Sequence, residues 1–339
     1  MPTVLCPEPP SGGCFFGRKY FIFGLMSANA RLELALIIVF IVAACGTKAP
    51  EKTNASVEKL AVNELKPTAD FSGTIVFQSD MDGDSDIYRM TRDGLLKLTD
   101  NSWNDEYPRW SPDGRRVAFS ANPRGNYGVY VMNDDGTGVA PVVDSPEDET
   151  EPAWLPDGSG VAFTRNDALW TVDLRTREEA RVIPDYSRTH GLSDFSPAAP
   201  LVAFTGHRTV GWDVFICDRA SRRVEALTEG GRSCRPRFSP DGRKLAFVSA
   251  AADGKGDIWL MNPDGTDKTR LTERDATADY YPAWAADGLS IVFSSSEGHS
   301  PKTDRWALFI VDVRSKRVVP LFSAADRALF PDWRGAEPR

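Results

Sequence analysis

Short apolar segments recur along most of the chain, and turn-forming residues separate them. Segments such as Val117-Ala118-Phe119 are rich in β-branched and aromatic side chains, a pattern that predicts strands. Two kinds of turn stand between them. In Ser-Pro-Asp-Gly, Pro sets φ and Gly accepts a positive φ, whereas Asp-Gly is a strong hairpin signal. The chain is therefore predicted to be all-β, with short strands joined by tight turns.

These strands belong to a repeated unit. Each unit contains a Pro-x-Trp or Pro-x-Phe strand, a tight turn, an Ala-Phe strand, a third strand ending near Asp-Gly, and a fourth strand often ending in Leu-Thr. The anchoring aromatic residues, spaced 44, 41, 43, 46 and 49 residues apart, are Trp110, Trp154, Phe195, Phe238, Trp284 and Trp333. Tandem four-stranded units of about 40–45 residues are typical of a β-propeller.

The two ends of the repeated region complement each other. The first unit starts at Gly73 and lacks a Pro-x-Trp strand, whereas Phe330-Pro331-Asp332-Trp333 stands alone near the C-terminus. We therefore expect residues 71–335 to form a six-bladed β-propeller of four-stranded blades. The C-terminal strand would close the ring by completing the first blade as its innermost strand.

The motif Pro-x-Trp-Ser-Pro-Asp-Gly, followed by Ala-Phe, Asp-Ile-Tyr and Leu-Thr, resembles the WD-like repeats of the TolB propeller from about Phe71 to Trp333. The resemblance implies the fold more strongly than a function, because peptidase propellers and a polysaccharide lyase carry the same repeat. TolB proteins also have an α/β domain before the propeller that binds other Tol proteins. Residues 45–70 occupy that place here, so the resemblance implies a TolB-like propeller without that domain.

The first 44 residues are predicted to be a signal peptide. Their apolar run, Leu34–Ala44, is shorter than the roughly 20 residues that a membrane-spanning helix requires. Residues 1–44 make a long signal, and Met26 is an alternative start.

A cysteine follows this signal directly. Small residues before Cys45 resemble a bacterial lipobox, so we expect lipidation at Cys45, with an ordinary signal peptide and a chance cysteine as the alternative. Gly46 is not the Asp that retains some lipoproteins in the inner membrane. Residues 45–70 are polar and read as a flexible tether. The chain is thus expected at the bacterial cell envelope, lipid-anchored on the periplasmic face of the outer membrane.

Composition and the absence of known motifs argue against several classes of function. The net charge of −8 and pI near 5.1 argue against a nucleic-acid partner, and three His residues argue against a His-rich metal centre. We find no Gly-x-Ser-x-Gly elbow, Walker loop, His-Glu-x-x-His or Cys-x-x-Cys, so we expect no enzyme activity. Cys217 and Cys234, the cysteines of the repeated region, are expected to be two buried thiols, with one disulfide as the alternative.

One loop carries alternating carboxylates. Asp80, Asp82, Asp84 and Asp86 surround Gly83 and could supply oxygen ligands to Ca²⁺, although the twelfth-position Glu of an EF-hand loop is missing. The alternative is a structural turn.

The loops between the fourth strand of one unit and the first strand of the next vary most, and they carry fourteen acidic against five basic residues. Variable loops on a rigid scaffold commonly carry binding sites. The expected contact residues are Asp105, Glu106, Tyr107, Glu149, Glu151, His190, Arg235, Tyr281 and Phe330.

We therefore expect a monomeric, non-catalytic scaffold that binds an envelope protein or basic peptide through these loops and the channel mouth. The alternative interpretation of the acidic loops is a solvated surface that only aids solubility. A carbohydrate-binding or lyase-type enzyme propeller, using Ca²⁺, is the alternative function.

Overall fold

The computed structural model of the protein describes residues 65–183, 191–207, 210–274, 277–296, 305–322 and 327–335. Its strands form six four-stranded antiparallel sheets, which confirms the predicted all-β, six-bladed propeller. Across these ranges, no helix has the length and hydropathy needed to cross a membrane.

The strands are numbered in chain order. Blade 1 contains β1 (Thr74–Ser79), β2 (Asp86–Thr91), β3 (Gly94–Lys97) and β24 (Ala328–Arg334). Blade 2 contains β4 (Asp105–Trp110), β5 (Arg116–Ala121), β6 (Gly128–Asn133) and β7 (Ala140–Val143). Blade 3 contains β8 (Thr150–Trp154), β9 (Gly160–Arg165), β10 (Ala168–Asp173) and β11 (Glu179–Arg181).

Blade 4 contains β12 (Asp194–Phe195), β13 (Leu201–His207), β14 (Trp212–Asp218) and β15 (Arg223–Ala226). Blade 5 contains β16 (Ser233–Phe238), β17 (Leu245–Ser249), β18 (Asp257–Met261) and β19 (Thr269–Arg270). Blade 6 contains β20 (Asp279–Trp284), β21 (Ser290–Ser296), β22 (Trp306–Asp312) and β23 (Val318–Phe322).

The ring closes as the sequence predicted. The C-terminal strand β24 pairs antiparallel with β1, with Ile75 opposite Trp333 and Gln78 opposite Leu329, and blade 1 has the order β24-β1-β2-β3. The two ends of the propeller therefore share one sheet, and its hydrogen bonds hold the ring shut.

The core lies between neighbouring blades. The second strand of every blade contributes a Phe with at most 1% of its surface exposed: Phe77, Phe119, Phe163, Phe204, Phe247 and Phe293. Each aromatic residue of an innermost strand packs against the preceding blade. Trp154, for example, joins Ala118 and Val129 of blade 2, and its indole Nε1 donates to Arg109 O at 3.0 Å. Since burying one such side chain contributes about 1.5–3 kcal/mol, the blades depend on each other for stability.

Two sequence motifs have local structural roles. In the Ser-Pro-Asp-Gly turn, Asp113 Oδ1 accepts from Ser111 Oγ at 2.5 Å and from Arg115 N at 3.1 Å, while Gly114 has φ +67°. At the Leu-Thr ends, Thr99 Oγ1 accepts from Ile87 N at 2.9 Å. Side chains of this kind satisfy backbone groups that a short strand leaves unpaired.

Cys217 and Cys234 are both buried and form no disulfide. The expectation of two buried thiols is thus confirmed.

Candidate functional site

The six innermost positions of the ring share an unusual backbone conformation. At the corresponding place in every blade, a non-glycine residue has φ between 48° and 58°: Tyr107, Glu151, Leu192, Arg235, Tyr281 and Phe330. In five blades the pairing register shifts at this point, which marks a β-bulge. A bulge re-aims the side chain it carries, and all six of these residues line one cavity on the propeller axis.

Side chains of neighbouring blades hold this strained backbone. Gln78 Oε1 accepts from Tyr107 N at 2.8 Å, and Thr205 Oγ1 accepts from Arg235 N at 2.8 Å. Each bond joins a blade to the one before it. A left-handed conformation in a non-glycine residue persists only where its surroundings enforce it. The six residues, termed here the mouth ring, are therefore fixed in place by the closed propeller.

The cavity below the mouth ring has a volume of about 40 Å³. Its walls include the prolines that follow five of the ring residues: Pro108, Pro152, Pro236, Pro282 and Pro331. Arg109 and Arg237 also line it. This volume is well below the roughly 300–1,000 Å³ of a typical small-ligand pocket, and the lining combines prolines with charged side chains.

One half of the mouth ring is aromatic. The ring centroids of Tyr281 and Phe330 are 3.8 Å apart, and those of Phe330 and Tyr107 are 4.4 Å apart at an interplanar angle of 70°. The guanidinium carbon of Arg235 lies 4.7 Å from the Tyr281 centroid, and its Nη1 donates to Cys234 Sγ at 2.9 Å. In this aromatic arc of Tyr281, Phe330 and Tyr107, Tyr281 is buried and the other two rings are half-buried, so Tyr107 and Phe330 offer the rigid apolar contact area.

The other half carries a carboxyl group. Glu151 Oε2 accepts from Leu192 N at 3.1 Å and from Thr164 Oγ1 at 3.3 Å. Burial raises the pKa of Glu151 to about 7, against the opposing effects of these hydrogen bonds and of Arg235. Gly191 has φ +80°, and a Cβ there would lie 1.4 Å from Glu151 Oε2, so only glycine leaves room for this carboxyl group.

Four charged side chains meet across the axis and form the floor of the cavity. Arg109 Nη2 lies 2.5 Å from Asp194 Oδ1, Arg109 Nε lies 3.7 Å from Asp332 Oδ1, and Arg237 pairs with both aspartates. Their side chains are between 10% and 18% exposed. Two positive and two negative groups make this floor tetrad electrically neutral.

The aspartates of the floor tetrad also join blades through the backbone. Asp332 Oδ2 accepts from Trp110 N at 2.7 Å, and Asp194 Oδ2 accepts from Phe238 N at 2.8 Å. Burial and the repulsion of Arg237 lower the pKa of Arg109, whereas Asp332 and Asp194 raise the pKa of Arg237. The tetrad is thus a structural element that couples blades 1, 2, 4 and 5.

Five of the expected contact residues belong to the mouth ring: Tyr107, Glu151, Arg235, Tyr281 and Phe330. His190 and Cys45 lie outside the described residues. Leu192 was not predicted, because blade 4 has Ser193 where the other blades have the marker proline.

Three other expected residues are not on an exposed rim. Asp105, Glu106 and Glu149 are 1%, 2% and 0% exposed, so their carboxyl groups do not form the steering surface inferred from loop charge. Glu149 accepts from Arg165 Nε at 2.8 Å and from Ser145.

Burial raises the pKa of Asp105 to about 6 and that of Glu106 to about 8. These acids lie between blades because the innermost strand begins before its bulge, a feature that loop boundaries drawn from sequence do not reveal.

The candidate calcium loop is organised by cationic side chains. Lys97 Nζ lies 2.5 Å from Asp82 Oδ2 and 2.9 Å from Asp86 Oδ2, and Arg327 Nη2 lies 2.7 Å from Asp80 Oδ2. Among the residues the structure describes, no group of three or more His, Cys, Asp or Glu side chains could hold a metal ion, the set with Asp84 included. The structural-turn interpretation therefore accounts for this segment.

Comparison with known proteins agrees with the fold. Residues 178–321 match the TolB beta propeller domain family. A TolB structure from Acinetobacter baumannii superposes with a TM-score of 0.68 at 20% identity, covering 78% of this chain and 67% of that one. An oligogalacturonate lyase from Vibrio parahaemolyticus superposes with a TM-score of 0.52 at 13% identity, covering 78% and 76%. The chain contains a six-bladed, TolB-like β-propeller.

Two sequence relatives cover less of the chain. An uncharacterized protein of Agrobacterium fabrum is 32% identical over 199 residues, which span 56% of this chain and 65% of the relative. A protein named TolB homolog from Chlorobium luteolum is 29% identical over 118 residues, spanning 35% of this chain and 25% of the relative. Since a lyase shares the fold, the fold by itself does not distinguish an enzyme from a binding protein.

Proposed function

We propose that the protein is a non-catalytic, monomeric lipoprotein of the cell envelope that binds a protein partner through the mouth ring and the loops around it. The observation that carries the proposal is the aromatic arc, which stands at the entrance of a cavity with a fixed backbone. Aromatic anchors in or beside a pocket, surrounded by polar groups, are typical of the energetic centre of a protein interface.

The charged floor of the cavity supports a structural role for these four side chains. The floor tetrad is neutral, and its four side chains pair with each other and with backbone N–H groups. Side chains that are paired with each other and with the backbone maintain the shape of a site. Proton transfer instead requires a group that reaches the substrate.

The first described residues of the chain lie away from the mouth ring. Thr68 N donates to Leu321 O at 2.7 Å, and Thr68 Oγ1 donates to Pro320 O at 2.9 Å. This segment therefore lies along β23, the outer strand of blade 6, away from the axis.

Photo-crosslinking in cells tests this proposal. Trp103, 39% exposed, lies in the loop before β4 on the mouth face, and Leu289, 45% exposed, lies in the turn before β21 on the opposite face. Each is replaced separately by p-benzoylphenylalanine in the full-length protein. We expect Trp103→p-benzoylphenylalanine to yield one protein adduct of defined mass, and Leu289→p-benzoylphenylalanine to yield none.

A second substitution links the adduct to the aromatic arc. Adding Phe330→Ala should reduce the Trp103 adduct by at least about tenfold, since hot-spot truncations commonly cost 2 kcal/mol or more. Equal labelling from both faces, no adduct from Trp103, or no effect of Phe330→Ala would contradict a partner site at the mouth.

A further inference from the structure

Two buried carboxyl groups lie together at the seam where blade 5 contacts blade 6. Asp257 is the first residue of β18 and Asp279 is the first residue of β20, and they are 1% and 0% exposed. Asp279 N donates to Gly256 O at 2.7 Å, which places Asp279 beside Asp257. These two aspartates, termed here the seam pair, therefore bring two acids into one water-poor place.

The donors around the seam pair leave one carboxylate oxygen unsatisfied. Asp279 Oδ1 accepts from Ser295 Oγ at 2.6 Å and from Thr277 Oγ1 at 3.2 Å. Among the described residues, no hydrogen bond of normal geometry reaches Asp279 Oδ2, although this atom is buried. An anionic oxygen without a donor is unfavourable in such a place, whereas a proton on the carboxyl group removes the charge.

Carboxylates also outnumber cations at this seam. Arg270 Nη2 lies 2.8 Å from Asp257 Oδ2, but the same nitrogen lies 2.6 Å from Asp253 Oδ2. Arg274 Nη1 lies 3.6 Å from Asp279 Oδ1. If all three aspartates were ionised, these side chains would carry one uncompensated negative charge. A buried charge without a partner is normally neutralised by a change of protonation.

The seam between blades 4 and 5 provides an internal reference. The residues that correspond to the seam pair are Asp213, which is 0% exposed, and Ser233, whose side chain is neutral. Asp213 Oδ1 accepts from Thr228 Oγ1 at 2.8 Å, and Asp213 Oδ2 accepts from Gly231 N at 3.2 Å. Both oxygens of this single carboxylate have donors, so this seam has no need of a proton.

We propose that the seam pair binds one proton at mildly acidic pH, and that release of this proton towards pH 8 loosens the start of β20. This strand carries Tyr281, which follows Asp279 by two residues and whose ring centroid lies 3.8 Å from that of Phe330. The seam pair is thus a pH-sensitive device that one short strand connects to the aromatic arc.

The surroundings of each carboxyl group set the direction of the effect. Burial raises the pKa of Asp257 to about 7, against the charge of Arg270 and together with repulsion from Asp253 and Asp279. Burial also raises the pKa of Asp279. Asp253 stays ionised, because Lys255 N and Arg270 lower its pKa despite its partial burial. The stability that the proton contributes is therefore fully present below the unfolded value near 3.8 and is lost as the pH rises through about 7.

Hydrogen exchange of the wild-type protein tests the proposal. Mass spectrometry compares peptides from β20 and β16 at pH 5 and pH 8, after correction for the intrinsic pH dependence of amide exchange. If local opening returns Asp257 from a pKa of about 7 to its ordinary value, linkage gives a loss of protection of about tenfold or more over this range. We expect this loss in β20 and not in β16. An equal response of the two strands, or no response of β20, would overturn the proposal.

Two variants assign the response to the seam pair. Asp279→Asn keeps an acceptor for Ser295 Oγ and removes one of the two charges, so β20 should lose most of its pH response. The matched control, Asp287→Asn, makes the same change at an exposed carboxylate in the tight turn of blade 6 and should retain the response. A full response in Asp279→Asn would contradict the assignment. If Asp279→Asn fails to fold, the wild-type comparison of β20 with β16 still decides the question.

Glu151 is a second acid whose charge acts on Tyr281, and its pKa of about 7 lies in the same range. Glu151→Gln separates the two acids, because β20 should keep its pH response in this variant. Loss of the response in Glu151→Gln, with the response retained in Asp279→Asn, would refute the seam pair and assign the switch to the mouth ring.

A consequence for binding rests on the proposed function. Because Tyr281 supports Phe330, the Trp103 adduct should form in lower yield at pH 8 than at pH 5 in isolated cell envelopes, and Asp279→Asn should reduce the difference. Equal yields at both pH values would refute this control of binding.

The two proposals fail in different ways. An adduct that is absent at both pH values would refute the proposed function, whereas the exchange experiment uses the protein alone and decides the seam pair without any partner.

Discussion

The floor tetrad makes a strong prediction about stability. In Asp332→Ala, Arg237 and Arg109 lose one of their two carboxylate partners, and Trp110 N loses its acceptor. Removing one partner of a buried ion pair typically costs about 3–5 kcal/mol, because the remaining charge stays buried without compensation. The Asp332 side chain is 10% exposed, so we expect about 4 kcal/mol for this variant. A propeller of this size should then melt about 8–16 °C lower.

Two further variants separate charge from hydrogen bonding. Asp332→Asn keeps an acceptor for Trp110 N and should cost about 1–2 kcal/mol less than Asp332→Ala. Arg237→Met combined with Asp332→Ala restores a neutral floor of Arg109 and Asp194, so the double variant should be more stable than the sum of the single losses by about 1–3 kcal/mol.

The assay is urea denaturation at pH 7, followed by circular dichroism and tryptophan fluorescence together with thermal melting. A cost below about 1 kcal/mol for Asp332→Ala, the range typical of exposed ion pairs, would refute the reasoning. Strict additivity in the double variant would show that the four side chains do not act as a unit.

Three other predictions test the surrounding structure. Gly191→Ala should displace the Glu151 carboxyl group and lower the melting temperature, and an unchanged melting temperature would contradict the close approach. Burial raises the pKa of Glu106 to about 8 in the folded state, above its unfolded value near 4.5. The contribution of Glu106 to folding stability is therefore fully present below pH 4.5 and is lost as the pH rises through 8. Glu106→Gln should therefore flatten that loss in urea titrations between pH 4.5 and 8.5, and an unchanged slope would argue against it. Millimolar Ca²⁺ should not shift the melting temperature, because Lys97 already pairs with Asp82 and Asp86, whereas Lys97→Met should alter the local packing without creating calcium dependence.

Loop charge proved a poor guide to the exposed surface. Asp105, Glu106 and Glu149 fall in loops by sequence and count toward an acidic rim, yet each is buried between blades. The count treats every charged side chain in a loop as solvated. Arg165, on β9, meets Glu149 only after two strands pair, so nothing in the local sequence of that loop reports the partner.

The floor tetrad could not be predicted from the sequence either. Arg109, Asp194, Arg237 and Asp332 each occupy the middle position of the Pro-x-Trp strand or its counterpart, where a charge in an otherwise buried strand was the available signal. Which of them pair depends on which blades face each other across the axis.

The sequence by itself determined the four-stranded architecture of a blade, the number of blades, the positions of the turns and the closure of the ring by β24. These features rest on strand alternation, on the φ preferences of Pro and Gly, and on repeat spacing, all of which act over a few neighbouring residues or through one repeated unit. The tertiary structure alone decided which acids are buried, which cations neutralise them, and how Tyr107, Glu151, Leu192, Arg235, Tyr281 and Phe330 meet at one mouth. Those outcomes depend on contacts between residues far apart in the chain, which exist only when the ring has closed.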